Sequence, residues 1–92
     1  MKAKNIEDWK KEVLDTKEYQ EKFQIDELIL EVISIFQKYR KENNLTQTEF
    51  AEILETSQQA ISRLEKNLIN PSLGFLVKSL YKIGYKIKIE KL

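Results

Sequence analysis

The chain has 92 residues and a formal net charge of +1, with 34% charged and 41% hydrophobic residues, which is typical of one small soluble domain. It contains no cysteine and no histidine, which excludes a disulfide framework and argues against metal sites, histidine acid–base catalysis and the common nucleophilic triads. No apolar run approaches membrane-spanning length and no signal-peptide pattern opens the chain, so we expect a cytoplasmic protein that is not an enzyme and uses no metal or cofactor.

The charges are distributed unevenly along the chain. Residues 1–31 contain nine acidic residues and six lysines, a net charge of −3, whereas residues 32–92 contain ten basic and six acidic residues, a net charge of +4. This asymmetry indicates two partners of opposite charge, and a mixed solvated surface explains it equally well.

The amino-terminal quarter is predicted to be helical. Asn5 can cap a first short helix, and Thr16 can start a second helical segment. The apolar residues at helical spacing in these segments are Ile6, Trp9, Val13, Tyr19 and Phe23. Because these residues are too few to form a core, the quarter must lie on the rest of the domain or on a partner.

Residues 25–42 are predicted to form a long helix. Most of its apolar residues span an arc much wider than the roughly 100° stripe of a surface helix, and Leu30 falls outside even that arc. The arc comprises Ile25, Leu28, Ile29, Val32, Ile33, Ile35, Phe36 and Tyr39. One stripe can serve the domain core. The remainder requires another cover, which is either residues 6–23, a second subunit or a different protein.

Two short helices joined by a tight turn are predicted in the middle of the chain. Thr46 and Glu49 form a capping box, which predicts a helix over about residues 47–54. After the turn, Ser57 caps a helix over about residues 58–66.

A last helix is predicted after a loop. Pro71 sets its start, and Gly84 ends it as a C-cap glycine. Its apolar face is predicted to consist of Leu73, Leu76, Val77, Leu80 and Ile83.

The period of the pattern changes after the last helix. Apolar and charged residues then alternate in the order Tyr85, Lys86, Ile87, Lys88, Ile89 and Glu90. This alternation predicts a β-strand, with Tyr85, Ile87 and Ile89 as candidate interface residues. A lone strand has unpaired edges, and the sequence contains no other convincing strand. The simplest solution is pairing with the same strand of a twofold mate, and the next simplest is addition to a partner's sheet.

The helix predicted at residues 58–66 carries side chains that suit a DNA groove. Its outward positions hold Gln58, Gln59, Ser62 and Arg63. Glutamine can pair bidentately with adenine and arginine with guanine, and helix amino termini bind phosphates. The predicted phosphate contacts are Gln47, Ser57, Lys66 and Asn67. Such side chains on an isolated helix are more often merely solvated, so the surrounding sequence decides.

The run over roughly residues 28–84 resembles the phage-repressor-like (XRE) helix-turn-helix family. The resemblance rests on LTQTEFAEILETSQQAISRLE at residues 45–65 and on the Asn-Pro-Ser-Leu that follows. It implies an all-α, five-helix repressor-like domain at residues 25–84. A helical extension at residues 1–24 would precede that domain, and a short β-strand at residues 85–92 would follow it.

The resemblance also implies roles for single residues. The positions that touch bases in that family match Gln58, Gln59 and Arg63. Gln47 matches a position near the DNA backbone, and Arg40 and Glu65 match a structural ion pair between the long helix and the recognition helix. One departure is Glu55, which stands at a turn position that is usually glycine. A residue other than glycine in a left-handed turn costs roughly 1 kcal/mol, which favours a turn that differs from the family's.

The flanks resemble those of HigA-type antitoxins, through the Ile6-x-x-Trp9 element and the strand from Lys86 to Lys91. This implies a homodimer that binds operator DNA, represses its own operon, and neutralises a basic HigB/RelE-type ribonuclease toxin by direct binding. The toxin-binding candidates are Ile6, Trp9, Val13, Tyr19 and Phe23. Aromatic anchors with acidic rims match a basic surface. The alternatives are a stand-alone dimeric XRE repressor and an adaptor of the same fold that does not read DNA.

Overall fold

The computed structural model describes residues 16–92, and the regular structure in that part of the chain is helical. Its helices are α1 (Lys17–Glu42), α2 (Gln47–Ile53), α3 (Gln58–Glu65) and α4 (Leu73–Lys82). The all-α prediction is confirmed for these residues, but the five-helix count is not, since four helices are present among them. The predicted first helix, with Ile6, Trp9 and Val13, lies outside the described residues. None of the four helices is long and apolar enough to cross a membrane.

Helix α1 is a single rod of 26 residues. The Thr16 hydroxyl starts it by accepting a hydrogen bond from the Tyr19 amide at 3.2 Å. Because no glycine or proline interrupts it, the segment predicted to start at Thr16 and the helix predicted from residue 25 form one helix about 39 Å long. Residues 17–23 therefore cannot fold back to cover the apolar residues of the same helix.

The core forms where the second half of α1 meets the other three helices. Its buried apolar side chains are Ile29, Val32, Ile33, Phe36, Phe50, Ala51, Leu54, Ile61, Leu64, Leu76, Leu80 and Ile83. The rings of Phe36 and Phe50 pack edge to face, with centroids 5.1 Å apart and an interplanar angle of 77°. This contact joins α1 to α2 at the centre of the domain.

Parts of the predicted apolar faces are not buried in the single chain. In α4, Leu73 and Val77 are 67% and 46% exposed, so the predicted core face of that helix is too wide. In α1, Ile25, Leu28 and Leu30 are 51%, 37% and 55% exposed, so the described part of the chain covers its amino-terminal half only in part.

The turn between α2 and α3 keeps the left-handed conformation that the family resemblance implies. Glu55 adopts it with a φ of 58°. A side chain at this φ costs about 1–2 kcal/mol relative to the right-handed conformation. The Glu55 carboxylate lies 3.1 Å from the Lys82 ammonium group, which links the turn to α4.

The predicted strand over residues 85–92 is not formed in the single chain. These residues have no regular secondary structure, because the part of the chain that the structure describes offers no second strand for pairing. Ile87 is half-buried against the core, whereas Ile89 is 95% exposed. The segment thus keeps its alternating sequence without the ladder that alternation predicts.

Candidate nucleic-acid interface

Helix α3 presents one polar face to solvent. The Ser57 hydroxyl caps it by accepting a hydrogen bond from the Ala60 amide at 3.1 Å. Ile61 and Leu64 are completely buried and fix the rotation of the helix against α1 and α2. On the opposite side, the structure leaves Gln58, Gln59 and Arg63 exposed and Ser62 half-buried. These are the four side chains that the sequence predicts for base contacts.

Four polar side chains form a continuous chain from α1 to the start of α3. Arg40 donates from Nε to Glu65 Oε1 and from Nη2 to Glu65 Oε2, both at 2.7 Å. Gln47 Nε2 donates to the same Glu65 Oε2 at 3.3 Å. Gln58 Nε2 in turn donates to Gln47 Oε1 at 2.9 Å. The amide of Gln58 is therefore tied, through Gln47, to the bidentate ion pair of Arg40 and Glu65.

This chain leaves Gln58 the groups that adenine needs. One of its two amide N–H groups is used by Gln47, so one N–H and the amide oxygen remain available. A bidentate contact with adenine requires one donor and one acceptor. Gln58 can thus be held in position and still read a base.

The guanidinium of Arg63 projects one turn further along the same face. Among the described residues it has no ion pair or hydrogen bond, in contrast to the bidentate Arg40. Its five N–H donors are free for a planar acceptor such as the guanine edge.

The comparison with known families bears on this segment. A family model described as helix-turn-helix matches residues 36–78, from the second half of α1 into α4. The match supports a likeness of this segment to helix-turn-helix proteins of the XRE type. The match supports a DNA-binding regulator. No curated protein and no solved structure gives a significant match.

The predicted phosphate contacts lie at the ends of the two short helices of this helix-turn-helix. Lys66 and Asn67 are exposed just after α3, and Asn67 has a left-handed φ of 59° that ends the helix. Ser57 is exposed before α3, but its hydroxyl is engaged as the cap. These three positions flank the polar face of α3, which is where the two DNA backbones would pass.

The amino end of α2 is partly closed to phosphate. Thr46 and Glu49 form a reciprocal capping box, with bonds of 3.0 and 3.1 Å. Hydrogen bonds from the backbone and side chain of Thr46 lower the pKa of Glu49, which keeps this carboxylate ionised. A negative charge at this helix end opposes a phosphate there, so we expect the amino end of α2 to attract phosphate less than the helix geometry alone predicts.

Sequence reasoning missed the second role of Gln47. The resemblance places this residue near the DNA backbone, but in the structure it bridges Glu65 and Gln58. Both glutamines occupy the first position of their helices, each directly after a cap. The shared first position of Gln47 and Gln58 was the signal in the sequence that could have predicted their hydrogen bond, since the turn brings the starts of α2 and α3 together.

A second surface lies at the amino-terminal half of α1, outside the matched helix-turn-helix. Residues 17–31 contain five acidic residues and two lysines, a net charge of −3. Phe23 is 53% exposed, and its ring stacks on Tyr19 with centroids 6.4 Å apart. Tyr19 and Phe23 are the two toxin-binding candidates that the structure describes, and they lie on one acidic, apolar helix face.

Proposed function

We propose that the protein is a sequence-specific DNA-binding repressor that reads its operator with α3. The observation that carries this proposal is the exposure of Gln58, Gln59 and Arg63 on one face of a helix whose rotation is fixed by the core. A helix of this kind fits the major groove, where its amino-terminal side chains meet base edges. Ser62 lies between these side chains and can add a contact to either base of a pair.

The two kinds of DNA contact are expected to fall on different residues. Gln58 and Gln59 suit adenine and Arg63 suits guanine, so these residues would supply discrimination. Lys66 and Asn67, together with the free amide groups at the start of α3, would hold the phosphates and supply affinity.

We propose that the DNA-binding form is a homodimer. One recognition helix covers a single half-site, and repressors of this architecture read two half-sites about one helical turn, ~34 Å, apart. The apolar residues that the single chain leaves exposed offer surface for such an assembly.

Operator selection from a random DNA pool, followed by gel shifts, tests this proposal. The selected site is expected to be a palindrome, and the Gln58→Ala/Arg63→Ala variant is expected to lose preference for it while remaining folded. Equal binding of a single half-site would contradict the dimer. Failure of the wild-type protein to enrich any sequence would contradict DNA reading altogether and favour a protein–protein adaptor.

We further propose that the repressor is the antitoxin of a toxin–antitoxin pair and binds a basic ribonuclease of the HigB/RelE type. The observation that favours this second role is the acidic, apolar surface at Tyr19 and Phe23, which is separate from the DNA-reading face. Aromatic side chains with carboxylates around them suit a basic partner. Binding there would block the RNA-binding surface of the ribonuclease. The other toxin-binding candidates, Ile6, Trp9 and Val13, lie outside the described residues.

Co-expression with the product of the adjacent reading frame tests the antitoxin role. The Tyr19→Ala/Phe23→Ala variant is expected to lose protection of the host from that product but to keep operator binding. Tyr81→Ala is the matched control, since Tyr81 is a 78% exposed aromatic residue on α4. If the adjacent product is not toxic, or if the double variant protects as well as the control, the stand-alone repressor becomes the better description.

A further inference from the structure

A groove separates α1 from the carboxy-terminal segment. It has a volume of about 390 Å³, and its apolar lining comes from Leu28, Val32, Ile35, Leu80 and Ile87. Ile87 is half-buried on this side of its own domain.

The segment beside the groove ends in side chains that the single chain does not bury. Ile89 is 95% exposed, although it is two residues from Ile87 and belongs to the same alternating set. The Lys88 ammonium group lies 3.9 Å from the Glu90 carboxylate, so these two charged residues share one side of the segment. The segment therefore has an apolar side and a charged side, which is the pattern of a strand that lacks its neighbour.

We propose that residues 85–91 pair antiparallel with the same residues of a second copy, about a twofold axis through Lys88. This pairing would insert Ile89 of each copy into the groove of the other. The inference rests on the proposed function, because it supplies the dimer that two DNA half-sites require.

The alternation of the sequence excludes half of the possible registers. Residues directly opposite each other in an antiparallel pair point to the same face of the ladder. An axis that passes between two residues would therefore set isoleucine against a lysine or a glutamate next to the axis. The axis must pass through a residue.

The opposed residues distinguish the three remaining registers in which both Ile87 and Ile89 lie within the paired segment. An axis through Lys88 opposes Ile87 with Ile89 twice, Lys86 with Glu90 twice and Tyr85 with Lys91 twice, and leaves one Lys88–Lys88 pair at the axis. An axis through Ile87 opposes Lys86 with Lys88 twice, which is repulsive. An axis through Ile89 opposes Lys88 with Glu90 twice, but it sets Ile87 against Lys91 twice and leaves one Ile89–Ile89 pair. Of the three, the register through Lys88 is the one that combines two isoleucine pairs with two opposite-charge pairs.

This register also explains where the exposed isoleucine would lie. Ile89 of one copy would stand directly opposite Ile87 of the other copy, on the same face of the ladder. Since Ile87 faces the core of its own domain, Ile89 would be carried to the same apolar surface, next to Leu28 and Ile35. Each copy would thereby cover part of the α1 face that the single chain leaves exposed.

Single-cysteine crosslinking of the full chain tests the register directly, because the sequence contains no cysteine. Lys88→Cys is expected to form a covalent homodimer under mild oxidation. Ile89→Cys is expected not to link to itself but to link to Ile87→Cys when the two variants are mixed. Lys66→Cys, an exposed position away from the segment, is the matched control and is expected to stay uncrosslinked. Self-linking at position 87 or 89 in place of 88 would overturn the register.

Charge reversal provides a second test that introduces no thiol. Glu90→Lys is expected to weaken dimerisation about tenfold, since it turns two opposite-charge pairs into like-charge pairs. Adding Lys86→Glu is expected to restore the dimer in sedimentation equilibrium. A double variant that dimerises as weakly as Glu90→Lys alone, or a wild-type protein that is monomeric at micromolar concentrations, would overturn the pairing.

The two proposals fail in different ways. If the expected crosslinks form but no DNA sequence is enriched, the pairing stands and the repressor function falls. If a palindromic operator is bound while position 88 never crosslinks, the repressor function stands and this pairing falls.

Discussion

The ion pair between Arg40 and Glu65 allows a quantitative test of what holds α1 to α3. Arg40→Ala removes two hydrogen bonds of 2.7 Å to Glu65 and a third, of 3.3 Å, to the Leu45 carbonyl. The Glu65 side chain is only 5% exposed, so the substitution leaves a nearly buried carboxylate with the Gln47 amide as its remaining partner.

The magnitude follows from this burial. Removing one partner of a buried ion pair costs about 3–5 kcal/mol. Because the Arg40 side chain is 22% exposed, water partly screens the site, and we expect a loss of about 3 kcal/mol in the free energy of unfolding. For a domain of this size, each kcal/mol lowers Tm by about 4–8 °C, so Tm is expected to fall by roughly 12–24 °C.

Thermal and urea unfolding, followed by circular dichroism, measures this loss. Arg63→Ala removes an exposed arginine and is the matched control, with an expected change within about 0.5 kcal/mol. If the cost comes from the stranded carboxylate, adding Glu65→Gln to Arg40→Ala should recover a large part of it. An Arg40→Ala variant as stable as the control, or a double variant in which the two losses simply add, would refute this reasoning.

Three other predictions concern DNA reading, the core and the α2 cap. In quantitative gel shifts, Arg63→Ala should lose about 1–3 kcal/mol of discrimination at one base position. Lys66→Ala should instead weaken binding to all sequences alike and flatten the salt dependence of binding. A uniform loss of affinity from Arg63→Ala would show that Arg63 contacts phosphate. Phe36→Ala should cost about 3–5 kcal/mol in urea unfolding, because its ring is fully buried against Phe50; a loss below 1 kcal/mol would contradict that packing. The pKa of Glu49 is lower in the folded state than in the unfolded state. Its contribution to the free energy of unfolding is therefore present above the unfolded-state pKa of about 4.3 and is lost as the pH falls through the folded-state pKa. Glu49→Gln should therefore show a weaker loss of stability in acid than the wild type, and identical acid profiles would contradict the assignment.

The sequence by itself determined the local structure of the helix-turn-helix. The hydroxyl groups of Thr46 and Ser57 accept hydrogen bonds from backbone amides in the first turns of α2 and α3. These two residues therefore define where the helices start, independently of how the rest of the chain packs. The spacing of Ile61 and Leu64 fixed which face of α3 is buried and which is left for solvent. These features depend on neighbours within one helical turn, which a sequence pattern records.

The tertiary structure decided which apolar residues are covered and which polar side chains meet. The pattern alone made Val77 and Ile25 equivalent to core residues, yet they are 46% and 51% exposed, because the described elements cover them only in part. The position of Gln47 between Glu65 and Gln58 also depended on the way α2 docks beside α3. Helical period states which residues share a face, but burial and long-range hydrogen bonds depend on elements distant in the chain. For the same reason the alternating segment at residues 85–92 remains without a ladder until a second strand is supplied.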